Sequence, residues 1–279
     1  MKIEDILNKN KPVIKNVKYK IIKTKELEDG VIVYLDNKDK IHLSVDTYFK
    51  YAISTLNGLD DNLFELLKNE EKLYMAYRGT LRKLATKDFT IKQIKDYLKL
   101  KKELNVNESE EIINKLINYG LLDDEKYCIS RTNYLNKQLL SVKQIKLKLA
   151  KEGINSDLIN KYVIIKADDE YLKTKKLAEK YSNSIKNKSL NATKQAILTK
   201  LVNAGYSYDY AKQSIDDLKL KGNNEIYLLK KEYLKAKKKY EKKYEDYELR
   251  NHIYSYLINK GFQSEDIKML WRINYVKTS

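Results

Sequence analysis

The chain has 279 residues, with 56 Lys+Arg against 39 Asp+Glu, a formal net charge of +17, and 42% hydrophobic residues, but only 8 Gly, 1 Pro, 1 Cys and 2 His. Its length suits two domains or one extended array, its mixed charge excludes a disordered polyelectrolyte, and no apolar run approaches the roughly 18 residues of a membrane span. Cys128 alone cannot form an internal disulfide, His42 and His252 are too few for a structural zinc site, and Met1-Lys2-Ile3-Glu4-Asp5 does not begin a signal peptide, so a soluble cytoplasmic protein is expected.

The first sixty residues carry a strand pattern. Val13 to Ile22 is rich in β-branched residues and largely alternates. Gly30 precedes Val31-Ile32-Val33-Tyr34-Leu35, and Asp36-Asn37-Lys38-Asp39 supplies turn chemistry before Ile41-His42-Leu43-Ser44-Val45. Three strands in a meander are predicted, then a short helix over Tyr48–Ile53 capped by Asp46-Thr47. Gly58 and Asp60-Asp61 mark the end of this small β module.

From Leu63 the apolar spacing becomes that of helices, and no proline follows Pro12 to break them. What interrupts them is a recurring unit. Ile145-(three residues)-Leu149-(three residues)-Gly153-Ile154 is repeated as Ile197, Leu201, Gly205-Tyr206 and as Ile253, Leu257, Gly261-Phe262. The glycines lie 52 and 56 residues apart, and each copy is followed by two polar residues and a carboxylate. This is a helix stopped by a glycine just past its end, an apolar residue folding back, and a newly capped helix. A degenerate copy keeps Ile94 and Leu98 but has Glu103-Leu104-Asn105 where the glycine belongs. Segments 72–87, 126–139, 170–186 and 225–248 supply a further helix each; in the last, Ile226, Leu229, Tyr233, Ala236, Tyr240 and Tyr247 follow a near-heptad spacing between lysines. A mainly α chain is expected, with tandem three-helix repeats over 61–122, 123–169, 170–221 and 222–279 after the β module at 1–60.

The charge is unevenly placed. Segments 1–60, 61–122 and 123–169 each carry +2, whereas 170–221 carries +6 and 222–279 carries +5. A polyanion would therefore meet the C-terminal half. The basic residues are 51 Lys and 5 Arg, which favours contacts to phosphate over bidentate reading of base edges.

Catalytic patterns are sparse. No two glycines lie closer than 17 residues, so there is neither a dinucleotide-binding nor a phosphate-binding glycine loop. Cys128 reads as a packing residue inside a helix. Asp123-Asp124-Glu125, Asp168-Asp169-Glu170 and Asp216-Asp217 could hold Mg²⁺ for phosphodiester cleavage, but adjacent acids diverge on a helix. The first two clusters also sit where they can cap helix N-termini.

Gly120-Leu121-Leu122-Asp123-Asp124-Glu125-Lys126-Tyr127 resembles the signature of the RecX family, glycine, an aromatic residue or Leu, Leu, Asp, Asp, and an aromatic residue three further on. Thr90 to Ile94 with Leu98, and Ile145, Leu149 and Lys151-Glu152-Gly153-Ile154, are similar to further parts of its pattern. Ser141, Val142, Phe89 and Cys128 depart from the residues usual there. The resemblance covers the whole chain and implies an elongated curved array. It also implies a regulator without enzymatic activity or cofactor, binding the groove of filaments of the bacterial recombinase RecA on single-stranded DNA. Inhibition of RecA ATPase and strand exchange in recombination, repair and the SOS response would follow.

Under that resemblance Gly120, Leu122, Asp123, Asp124, Tyr127, Gly153, Gly205 and Gly261 are structural residues of the repeat, and no residue is catalytic or metal-binding. Candidate contacts to RecA or to DNA phosphates are Arg78, Arg82, Arg131, Lys143, Lys146, Lys194, Lys200, Lys235, Lys238 and Lys242 in a monomeric protein. Competing readings are a sequence-independent DNA-binding protein acting without RecA, a helical scaffold for another protein, and the metal-dependent nuclease.

Overall fold

A hairpin closed by Glu28-Asp29 opens the fold. Strand β1 (Tyr19–Leu27) pairs antiparallel with β2 (Gly30–Leu35), and β2 pairs with β3 (Lys40–Leu43) in the same sense. The computed structural model describes residues 14, 16–164, 166–218, 220 and 225–276. Val13 and Lys15 of the strand predicted over 13–22 lie outside them. Within them the strand starts six residues later than Val13 and runs on to Leu27, because the Leu27–Gly30 pair closes the turn. The predicted boundary at Gly58 is instead a fourth strand, β4 (Gly58–Leu59), which completes the order β3-β2-β1-β4. The predicted short helix is displaced as well. Helix α1 covers Val45–Lys50, and Ser44 rather than Asp46 caps it, its hydroxyl accepting the Thr47 N–H at 3.0 Å. Ala52 then turns at φ 47° into a 3₁₀ turn, Ile53–Thr55.

The chain divides into two compact units, Met1–Tyr127 and Cys128–Ser279. In the first, Val33, Leu35, Ile41 and Leu43 of the sheet bury against Leu63, Phe64 and Leu67 of helix α2 (Asp61–Leu84). Burying each such side chain stabilises the fold by about 1.5–3 kcal/mol. The same helix continues into a second core. There Ala76 meets Ile94 and Leu98 of α3 (Ile91–Lys102) and Ile112, Ile113 and Leu116 of α4 (Val106–Asn118). Thus α2 joins sheet to helices.

Helix α5 (Asp124–Lys137) runs into the second unit and is followed by α6 (Val142–Glu152) and α7 (Ser156–Tyr162). Next come α8 (Ala167–Ser184), α9 (Leu190–Asn203) and α10 (Tyr208–Asp216), which pack mutually around Ala178, Ile197, Leu201, Tyr206 and Ala211. Finally α11 (Glu225–Tyr240), α12 (Asp246–Asn259) and α13 (Ser264–Val276) enclose Leu229, Ala236, Ile253, Leu257 and Phe262. The spacing of Ile226 to Tyr247 does not form one helix. The chain leaves α11 at Tyr240 and re-enters α12 at Asp246, whose φ is 43°, and both Ile226 and Tyr247 are exposed.

The glycine turns share one geometry. Gly120, Gly153, Gly205 and Gly261 all have positive φ. In each, the next residue's N–H reaches back five residues: Leu121 to Leu116, Ile154 to Leu149, Tyr206 to Leu201 and Phe262 to Leu257. The glycine N–H reaches back three, so orphan helix carbonyls are satisfied as in a Schellman motif. In the degenerate copy Glu103 adopts φ 54° in place of glycine, and Leu104 still folds back into the core.

Candidate functional site

The signature acids work in opposite directions along the chain. Asp123 accepts the Lys126 N–H at 2.9 Å and caps the first turn of α5, which holds its carboxyl below the usual carboxylate range. Asp124 instead turns back to the preceding middle helix and accepts the Ile91 N–H, the first of α3, at 2.9 Å. Burial pushes its carboxyl upward while that N–H opposes the shift. Both acids serve helix N-termini, but the partner of Asp124 lies 33 residues upstream, in a helix that precedes it.

The second unit uses the same device twice. Glu170 in the first turn of α8 accepts the Val142 N–H at 3.0 Å, and Glu225 at the start of α11 accepts the Leu190 N–H at 3.0 Å. Val142 and Leu190 are the first residues of α6 and α9, where the backbone N–H has no partner within the helix. Burial pushes Glu225 upward, with the Leu190 N–H acting against it.

Beside each of these contacts lies a second one. Ser141, which caps α6, donates its hydroxyl to the Ala204 carbonyl at 2.7 Å; Ser189, which caps α9, donates to the Lys260 carbonyl at 2.7 Å. Ala204 and Lys260 immediately precede the turn glycines. A Cβ on Gly205 would stand 2.7 Å from the Ser141 hydroxyl, and one on Gly261 2.7 Å from that of Ser189. Glycine is therefore required there by left-handed φ and by the close approach of a serine from the preceding helical trio. Gly120 has the φ alone, with nothing within 4 Å of where a Cβ would stand.

The basic candidates separate into committed and uncommitted side chains. Arg78 pairs with Asp29 at 2.6 Å, and with the Tyr74 hydroxyl on the Asp29 carbonyl it ties the hairpin turn to α2. Arg131 grips Glu152 with both Nε and a terminal nitrogen. Lys146 donates to Asn160, Lys200 stands 5.0 Å from the Tyr181 ring centre, and Lys235 pairs with Glu232. Arg82, Lys143, Lys238 and Lys242 are exposed and Lys194 is half-buried, none with an ion pair among the described residues. Arg78 and Arg131 had no local sequence signal for these pairs, since their acids lie 49 and 21 residues away.

Cys128 is buried. Among the described residues no three His, Cys, Asp or Glu side chains gather where they could hold a metal ion, and no helix is long and apolar enough to cross a membrane. Asp123 and Asp124, each spent on a different helix N-terminus, do not converge on a common point.

No family model matches the chain. Regulatory protein RecX of Streptococcus pyogenes serotype M3 (strain ATCC BAA-595 / MGAS315) is 32% identical over 265 residues, spanning 92% of this chain and 100% of the relative. Regulatory protein RecX of Streptococcus mutans serotype c is 31% identical over 261 residues, spanning 89% and 97%. A crystal structure of regulatory protein RecX shares the fold, with a TM-score of 0.59 at 21% identity over 72% of this chain and 100% of that one. By its identity to full-length relatives, the chain belongs to the RecX family.

Proposed function

We propose that the protein regulates RecA by binding the RecA–single-stranded DNA filament, chiefly lowering ATP hydrolysis and strand exchange, as a monomer in the cytoplasm and without catalysis of its own. The observation that carries this reading is full-length similarity to proteins named regulatory protein RecX. Two features of the chain support it. Similar joints recur between helical trios, so a periodic partner can be met by periodic surfaces. And 11 of the 17 net positive charges lie in segments 170–221 and 222–279, where they attract the phosphates of a nucleoprotein filament. On this reading residues 61–122, 123–169, 170–221 and 222–279 are the repeats, and residues 1–60 form an accessory module.

The test is ATP hydrolysis by RecA on single-stranded DNA with and without the protein at matched salt. Inhibition at or below one protein per RecA is expected. Unchanged hydrolysis together with tight binding to bare DNA would favour the alternative, a DNA-binding protein that acts without RecA.

A further inference from the structure

A ring stack joins the loop between α11 and α12 to both helices. Tyr244 lies 3.8 Å, centre to centre, from His252 at an interplanar angle of 28°, and Tyr240 lies 5.5 Å from His252 at 22°. Tyr240 packs against the apolar core of its helical trio and anchors the stack. Tyr244 and His252 are half-buried and stand outside that core. The Lys243 and Tyr244 N–H groups both donate to the Tyr240 carbonyl, which fixes the turn that leads to Tyr244.

The helix that leads to the stack is rich in lysine, whereas Glu245, Asp246 and Glu248 follow Tyr244. Residues 230–243 include eight lysines against two glutamates. Lys239 stands 4.9 Å from the Tyr240 ring centre, and Lys238, Lys242 and Lys243 are exposed. A structural role alone would leave this charge density unexplained, because like charges crowded along one helix repel each other. A polyanion relieves that repulsion, and one whose units carry flat, accessible rings also extends the stack. Single-stranded nucleic acid has both properties, whereas a duplex keeps its base faces occupied and an acidic peptide offers no rings in series.

We propose that Tyr244 and His252 form a stacking platform for a base of single-stranded nucleic acid, with the lysines of residues 230–243 holding the adjoining phosphates. This rests on the reading that the C-terminal charge faces single-stranded DNA, and adds to it a contact to the bases that is independent of their identity.

The test uses the full chain and two labelled probes: an oligo-dT strand and a strand of equal length in which every nucleotide is an abasic deoxyribose phosphate. The parent protein should bind oligo-dT about tenfold more tightly than the abasic strand. Changing Tyr244→Ala and His252→Ala together should abolish that ratio while leaving abasic binding unchanged, and Tyr244→Trp should preserve it. Equal binding of the two probes by the parent, or an undiminished ratio in the double variant, overturns the platform and leaves the RecA reading intact. Absent RecA inhibition with a normal probe ratio would sink the RecA reading and leave the platform standing.

Discussion

Two joints in the second unit are built on the same pair of contacts and differ in everything around them. At the joint from α6 to α8 and the Gly205 turn, Ser141 meets the Ala204 carbonyl and the Val142 N–H meets Glu170. At the joint from α9 to α11 and the Gly261 turn, Ser189 meets the Lys260 carbonyl and the Leu190 N–H meets Glu225. The first adds the Tyr206 hydroxyl on the Leu139 carbonyl at 2.8 Å, and Lys173, which lies 2.7 Å from Glu170 and also donates to the Leu140 carbonyl. In the second the corresponding residues are Phe262 and Leu228, both turned to the apolar core. The shared pair defines a joint; the polar additions of the first are replaced by burial in the second.

The largest effect should come from breaking what only the first joint has. Lys173→Met leaves the buried Glu170 without its cation and should cost about 3 kcal/mol, read from urea unfolding. Leu228→Ala at the matching place, a half-buried side chain, should cost less, about 1–2 kcal/mol, and without changing the salt dependence of stability. Next come the glycines. Gly205→Ala and Gly261→Ala should each cost about 2–3 kcal/mol, because strained φ adds to a clash with a serine hydroxyl, whereas Gly120→Ala, strained only in φ, should cost about 1 kcal/mol. Equal losses at Gly120 and Gly205 would remove the close approach as a reason for glycine.

Ser141→Ala and Ser189→Ala each delete a helix cap and the bond to the next trio, for about 2 kcal/mol apiece. A loss at one serine alone would mean that the joints do not share their pair. The smallest effect is electrostatic. Burial raises Asp124 and Glu225 above the ordinary carboxylate range, so the folded chain holds those protons more tightly than the unfolded one. Their contribution to stability therefore falls as pH rises through the interval between unfolded and folded values. Asp124→Asn and Glu225→Gln keep an acceptor for the N–H and should flatten that fall in urea unfolding followed upward from acid pH. Asp123 has the opposite sign: its lowered value gives stability that is lost as pH falls through it.

Local chemistry made the repeat legible. Ile-Leu-Gly spacing announced the turn because a left-handed stop needs glycine and the next residue folds back within one helical turn. Strands β2 and β3 were legible through β-branched runs and an Asp-Asn turn. What escaped has partners far along the chain. The acids reach helix N-termini 28, 33 and 35 residues upstream, and nothing local in Asp124, Glu170 or Glu225 marks that reach. The two-residue β4 is too short to alternate, and the break after Tyr240 contains neither Gly nor Pro. The basic surface was legible as an uneven distribution of charge along the chain, not as individual contacts. Arg78 and Arg131, singled out as contact candidates, are occupied by Asp29 and Glu152.

The central claim is that the C-terminal lysines anchor the chain to a polyanionic filament. It is tested most directly by the salt dependence of binding to RecA-coated single-stranded DNA, comparing the parent protein with the Lys238→Gln, Lys242→Gln and Lys243→Gln triple variant, three exposed lysines. Loss of three phosphate contacts should weaken binding at low salt and reduce the slope of log affinity against log salt by about 2. An unchanged slope and affinity would contradict the account.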